Sequence, residues 1–145
     1  MFVPKRILVP VDFSEPSTRA LMHAIAMAEQ FGASLDVLHV VPNPYVDDPA
    51  GLYLPLPVTY VNDLMNDARK RLDDLLDSAD RQRLRARPIV KVGDPLRQVV
   101  AYARDESIDL IVLGTHGRSG VAHLFLGSVA ERVVRTAPCP VLTVR

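Results

Sequence analysis

Three glycines and a serine late in the chain, Gly114, Gly117, Gly127 and Ser128 in the stretch GTHGRSGVAHLFLGS, have a spacing suited to holding an anion. Glycine lets a ligand come close to the backbone and admits positive φ, the two properties that a cradle of main-chain amides requires. The apolar run DLIVLG leads into the first glycine, and Gly127-Ser128 opens a helical pattern. A helix start presents unpaired amides and a partial positive charge, to which Ser128 adds a hydroxyl donor. The chemistry these residues suit is phosphate binding. Arg118 adds a charge-assisted contact of roughly 1.5–3 kcal/mol where it forms away from water. His116 lies in the same loop, where touching a phosphate and facing water are both open readings. The pattern is not the GxxxxGK[ST] loop, because no lysine follows the last glycine, nor is it GxGxxG after the first strand. A strand exit, a tight turn and a Gly-Ser helix cap without any ligand would produce the same spacing.

A second candidate stands near the other end of the chain. Asp12 closes the run RILVPV, and in an open parallel α/β sheet the ligand crevice lies beyond the carboxyl ends of the strands. A carboxylate there needs water, a donor or a ligand hydroxyl, and capping the next helix alongside Ser14 answers the same need, so both readings stand. No catalytic residue is assigned. No Ser/His/Asp order suggests itself, and no HxGH-type nucleotidyl-transfer signature is present. His23 and His39 read as packing residues. Cys139, between Pro138 and Pro140, reads as buried and inert, since nothing near it lowers a thiol pKa. The cluster RQRLRARP reads as a solvated helix end and loop.

These residues are positioned by alternating elements. RILVPVDFS, SLDVLHVV, ARPIVKV, DLIVLG and PVLTV are near-continuous apolar runs, as expected of strands buried on both faces. Ser14 caps a helix with Pro16 in its first turn, Ala20, Leu21, Ala24, Ile25 and Ala28 on one face, and Gly32 at its end. The spacing of Val61, Leu64, Met65, Ala68, Leu72, Leu75, Leu76 and Ala79 predicts one long amphipathic helix. Asp94 caps a shorter helix through Leu96, Val99, Val100 and Ala103, and the last helix follows Ser128 and ends before Pro138. Alternation of this kind argues for a parallel sheet with helices on both faces and right-handed crossovers. Residues 42–57, PNPYVDDPAGLYLPLP, are irregular and read as a surface insertion or a lid over the second strand's end.

At 145 residues the chain has the length of one domain, 1–145, able to bury roughly 68–70% of its unfolded surface. Lys plus Arg equals Asp plus Glu at 17 each, so no net field draws nucleic acid or anionic lipid. One cysteine excludes an intramolecular disulfide framework and any cysteine-based zinc cluster, which suits a reducing compartment. The apolar run near the start is interrupted by Pro10 and stopped by Asp12, too short for a signal segment or a membrane span. A soluble, cytoplasmic protein with neither nucleic-acid nor membrane partner is expected.

ILVPVDFSEPS, VLHVV, VGDP, DLIVLGTHGRSG and LFLGSVAERVVRTAPCPVLTVR together resemble the universal stress protein family across essentially the whole chain. The nucleotide-binding pattern of that family, G-x2-G-x9-G-[S/T], is complete here as Gly114, Gly117, Gly127 and Ser128. The resemblance implies a three-layer α/β/α, Rossmann-like domain of the adenine nucleotide alpha hydrolase type, with a five-stranded parallel sheet in the order 3-2-1-4-5. It implies ATP as ligand, accompanied by Mg2+ or Mn2+. Asp12 would contact the ribose with Pro10 and Val11 beside it, and Val40 would meet the adenine through its backbone. Gly114 and Gly117 would approach the nucleotide, Gly127, Ser128 and Val129 would hold the phosphates, and His116, Arg118 and Ser119 fall in the covering loop. It further implies a homodimer through the last strand, Val141 to Val144, which would also protect an open sheet edge. The function expected is that of a nucleotide-dependent stress-response regulator with at most slow ATP hydrolysis. A dimeric interaction module without nucleotide, an ATPase or nucleotidyl transferase using Asp12 and His116, and a flavin protein are the other readings.

Overall fold

In the computed structural model, which describes residues 1–42, 57–115 and 127–145, strands and helices alternate as the apolar runs require. The order is β1 (Arg6–Pro10), α1 (Glu15–Phe31), β2 (Ser34–Val41), α2 (Val58–Leu75), α3 (Ser78–Arg83), β3 (Arg87–Val92), α4 (Pro95–Asp105), β4 (Leu110–Gly114), α5 (Ser128–Thr136) and β5 (Val141–Val144). The strands form one sheet in the order β3-β2-β1-β4-β5, every pairing parallel. Ile7 of β1 sits opposite Leu35 on one side and Leu110 on the other, so β1 is central and the strand order reverses beside it.

The strands are largely apolar because successive side chains enter different cores. Ile7, Val9, Val37 and Val112 face α1 and α2, meeting Ala20, Leu21, Ala24, Ala28 and Leu72. Leu8, Leu38, Ile111 and Leu113 face the other way, onto Leu96, Val99 and Ala103 of α4 and Ala130 and Val133 of α5. Continuous burial holds for β1, β2 and β4; the edge strands β3 and β5 are only half-buried, having a neighbour on one side alone among the described residues. Among the described residues no helix is long and apolar enough to cross a membrane.

Three local signals act as read, and one does not. Ser14 and Asp94 cap α1 and α4, accepting from Ser17 N and Arg97 N, and Gly32 ends α1 in the left-handed region at φ 66°. The long helix expected from Val61 to Ala79 is instead two. α2 stops at Leu75, Leu76 turns extended, and the Asp77 side chain accepts from Asp80 N at 2.7 Å to begin α3. Leu76 stays buried, so the apolar period continues through a break that a capping aspartate makes.

The amino edge of the sheet holds an ionic cluster. Asp36 is fully buried in β2 and accepts two bonds from Arg87, at 2.8 and 2.9 Å, one from Arg6 at 3.1 Å and one from the Tyr102 hydroxyl at 3.2 Å. Glu106 receives Arg6 at 2.6 Å. The arginine-rich stretch is therefore not merely solvated, since Arg87 balances a buried charge. Burial pushes the Asp36 carboxyl up, against the opposing pull of Arg6 and Tyr102, and burial beside Asp36 likewise raises the Tyr102 hydroxyl.

Candidate functional site

The carboxyl ends of β1, β2 and β4 open onto a cavity of about 390 Å³ beside the reversal of strand order. Its first wall comes from the turn after β1. Pro10, Val11 and Asp12 line it, with Val11 N bonded to Leu38 O at 2.8 Å. Asp12 N donates to Ser17 Oγ at 3.3 Å, while Asp12 Oδ1 accepts from Ser14 N at 3.0 Å and from the Ser14 hydroxyl. The capping reading of Asp12 is thus satisfied in the fold, and the same carboxylate lies on the cavity rim.

The second wall is apolar. Leu38 and Val40 of β2, Leu113 of β4 and Pro95 and Val99 of α4 supply it. His39 also borders the cavity. It is buried, its Nδ1 lies 2.8 Å from Val11 O, and its ring packs on Phe13 with centroids 4.5 Å apart. That is a packing histidine, as expected from the sequence; His23, expected to pack as well, is exposed on α1.

The third side is made of backbone. Gly114 ends β4 at the start of α1, where a Cβ would stand 2.7 Å from Pro16 C, 2.8 Å from Pro16 O and 2.9 Å from Ser17 N. Glycine is required there by helix packing, independently of any ligand, and its φ is not positive. Thr115 N bonds Val144 O at 2.8 Å, and Gly127 N bonds Thr115 O at 2.5 Å, so the two ends of the intervening loop meet. His116, Gly117, Arg118 and Ser119 lie outside the described residues, so no geometry is assigned to them.

Gly127, Ser128 and Val129 line the cavity where α5 begins. α1 and α4, which start at the same edge, are each capped by a side chain, whereas α5 has Gly127 as its N-cap and no side-chain cap bond. The amides of its first turn are the donors that a helix start leaves over, and they carry the positive end of the dipole. An apolar slot that ends on such amides suits a flat apolar ring joined to an anionic tail. Asp12 is the single carboxylate among the described lining residues. No group of three His, Cys, Asp or Glu side chains converges as a metal site among the described residues. Cys139 is half-buried and its thiol is pushed up by burial, the opposite of an activated nucleophile.

Sequence reasoning did not place Ser17, Leu38, His39, Pro42, Pro95, Val99, Leu113 or Ala130 at the site. Ser17 carried a weak signal, standing three residues after a capping serine, as helix N-terminal hydroxyls that bond local backbone commonly do. Pro95 and Val99 carried none, because their part in the site depends on how α4 packs over β2.

A family model described as the Universal stress protein family matches residues 4–145. The chain is 34% identical to a universal stress protein of Methanocaldococcus jannaschii over 97% of this chain and 82% of that one. It is 35% identical to one of Thermus aquaticus over 97% of this chain and 98% of that one. The solved structure of universal stress protein UspA from Lactobacillus plantarum matches with a TM-score of 0.74 at 29% identity, covering 97% of each chain. A universal stress protein in complex with cAMP shares the fold with a TM-score of 0.68 at 24% identity, covering 99% of each chain. Family match, curated relatives and a sheet ordered β3-β2-β1-β4-β5 agree, and this chain belongs to the universal stress protein family.

Proposed function

We propose that the chain is an ATP-binding regulatory protein whose nucleotide state alters its dimer or its partner contacts, with at most slow hydrolysis. The observation that carries this is the cavity at the reversal of strand order, apolar along β2 and α4 and ending on the α5 N-terminus that no side chain caps. In this reading adenine lies against Val40 and the apolar wall, and the ribose reaches Asp12 beside Pro10 and Val11. The phosphates meet the amides of Ser128 and Val129 and the Ser128 hydroxyl, beside Gly127, whose own amide is taken by Thr115 O. Gly114, at the end of β4, and Gly117 approach the nucleotide, and His116, Arg118 and Ser119 belong to the covering loop, on the strength of the glycine pattern.

ATP fits the residues present. A cavity of about 390 Å³ has the size of a small-molecule site, and its one described carboxylate stands where sugar hydroxyls would need an acceptor. No protein-only metal site is found among the described residues, so Mg2+ or Mn2+ would arrive on the phosphates, with Asp12 the described carboxylate within the same cavity. When bound, the cation neutralises phosphate charge. The solved relative with cAMP supplies the fold, whereas this chain's own cavity supplies the ligand chemistry. The domain proposed spans 1–145, placed in the cytoplasm, and its dimer forms through β5, whose outer edge has no strand partner among the described residues.

The second reading, a dimeric interaction module without nucleotide, is favoured by two facts: α1 capping accounts for Asp12, and helix packing accounts for Gly114. One experiment separates them. Protein purified without added nucleotide is denatured and the released small molecules are identified by chromatography and mass, followed by calorimetric titration with magnesium ATP. Stoichiometric ATP or ADP, or saturable binding, supports the ATP reading. No release and no binding by a folded dimer establishes the module.

A further inference from the structure

Three residues other than glycine have positive φ among the described residues: Phe13 at 64°, Arg85 at 48° and Ser107 at 52°. Arg85 and Ser107 each follow a helix end and close it, with Ala86 N bonded to Arg81 O at 3.0 Å and Ile108 N to Ala103 O at 2.9 Å. Phe13 closes no helix. It stands between Asp12 and the N-cap Ser14, in a backbone conformation that costs an aromatic residue energy and that persists only where the surroundings impose it.

The surroundings are visible on the ring. The imidazole of His39, in β2, packs against it at 4.5 Å between centroids with an angle of 39°. The guanidinium of Arg71, in α2, lies 4.0 Å from its centroid. Arg71 is an exposed residue, so burial does not force this stacking, and a cation over an aromatic face is an attraction in itself. The backbone on each side of Phe13 is tied as well, by Asp12 N to Ser17 Oγ at 3.3 Å and by Ser14 N to Asp12 Oδ1 at 3.0 Å. The turn at Phe13 is therefore what brings the Asp12 carboxylate back over Ser14 and sets its direction at the cavity rim.

We infer that Phe13 is a positioning residue for Asp12 and that Arg71 holds it in that role, so that recognition of a ligand's sugar hydroxyls depends on a residue of α2 outside the cavity. The inference rests on the reading of the cavity as a nucleotide site. It is tested on the full chain with Arg71→Met, which removes the cation, Arg71→Lys, which keeps it, and Phe13→Leu. Two quantities are measured: hydrogen exchange at the Ser14 amide without ligand, by NMR, and the ratio of calorimetric affinities for ATP and 2′-deoxy-ATP. A loss of Arg71 charge alone would weaken both nucleotides equally, so the ratio isolates positioning. Arg71→Met is expected to speed Ser14 exchange and to lower the ratio, each by about two- to fivefold, the value of one exposed cation–π contact. Arg71→Lys restores both, and Phe13→Leu shows larger changes; if Phe13→Leu does not fold, the Arg71 pair still decides. Unchanged exchange in Arg71→Met overturns the inference, and so does faster exchange with an unaltered ratio. Wild-type protein that binds neither nucleotide removes the ATP reading and with it the sugar coupling, and Ser14 exchange then still tells whether Arg71 holds the turn.

Discussion

Replacing Gly114 with alanine tests whether this glycine serves the fold or a ligand. The added methyl would lie 2.7–2.9 Å from three atoms of the Pro16–Ser17 backbone, closer than real Cβ contacts come. Side-chain rotation cannot relieve the overlap, because all three atoms are main chain at the start of α1. The helix must retreat from β4, and overpacking of this kind costs typically about 1–3 kcal/mol. With about 2.1 cal/mol/K of unfolding entropy per residue over 145 residues, a loss of about 2 kcal/mol lowers Tm by roughly 7 °C. Differential scanning calorimetry of nucleotide-free protein measures it. Displacing α1 also shifts Ser14 and Ser17, the two hydroxyls that hold Asp12, so ATP affinity is expected to fall as well. A variant that melts within about 1 °C of wild type in the absence of ligand, well inside the shift that overpacking predicts, would refute the steric argument. Gly114 would then owe its place to the ligand alone.

Asp36→Ala takes the acceptor from the buried Tyr102 hydroxyl, while Arg6 and Arg87 can turn to water, and is expected to cost about 1–3 kcal/mol in urea unfolding; no measurable loss would mean the cluster is solvated. The pH dependence has a definite sign. Burial raises the Asp36 carboxyl above its ordinary 3.8, so its contribution is fully present below that value and is lost as pH rises through the folded-state value. The stability of wild type relative to Asp36→Asn should accordingly fall as pH is raised from below 3.8, and a relative stability that rises would reverse the direction. On β5, Leu142 is 38% exposed on the strand proposed to pair across the dimer, and Leu142→Lys is expected to give a folded monomer by light scattering. A dimer of unchanged strength would move the interface elsewhere.

Much of this architecture could be read from local chemistry. Apolar runs without alternation announced strands covered on both faces, and Ser14, Asp94 and Gly32 marked helix ends through their own bonding. The reading failed where the outcome depends on distant partners. The break at Asp77 is invisible to periodicity, because Leu76 stays buried on either account. Asp36 in the middle of an apolar strand was a signal, but its partners Arg6 and Arg87 lie 30 and 51 residues away, and only the sheet brings them together. The same holds at the cavity. Residues at strand ends follow from topology, whereas Pro95 and Val99 enter through the packing of α4, and no propensity marks Phe13 for a left-handed turn.

The two edges of the sheet solve opposite problems. At the amino edge one buried charge, Asp36, is paired with Arg6 and Arg87, which reach it from the surface and also meet Glu106. At the carboxyl edge, α1 and α4 are closed by their own side chains while α5, which begins at the cavity, is not, so its amides are left beside an apolar slot. Stability and binding are thereby largely separated in space, and substitutions in the Asp36 cluster should alter unfolding with little effect on ligand affinity. The turn from Asp12 to Ser17 is where the separation ends. It caps α1, it packs on Gly114, and it carries the rim carboxylate, so any change there acts on the fold and the site together.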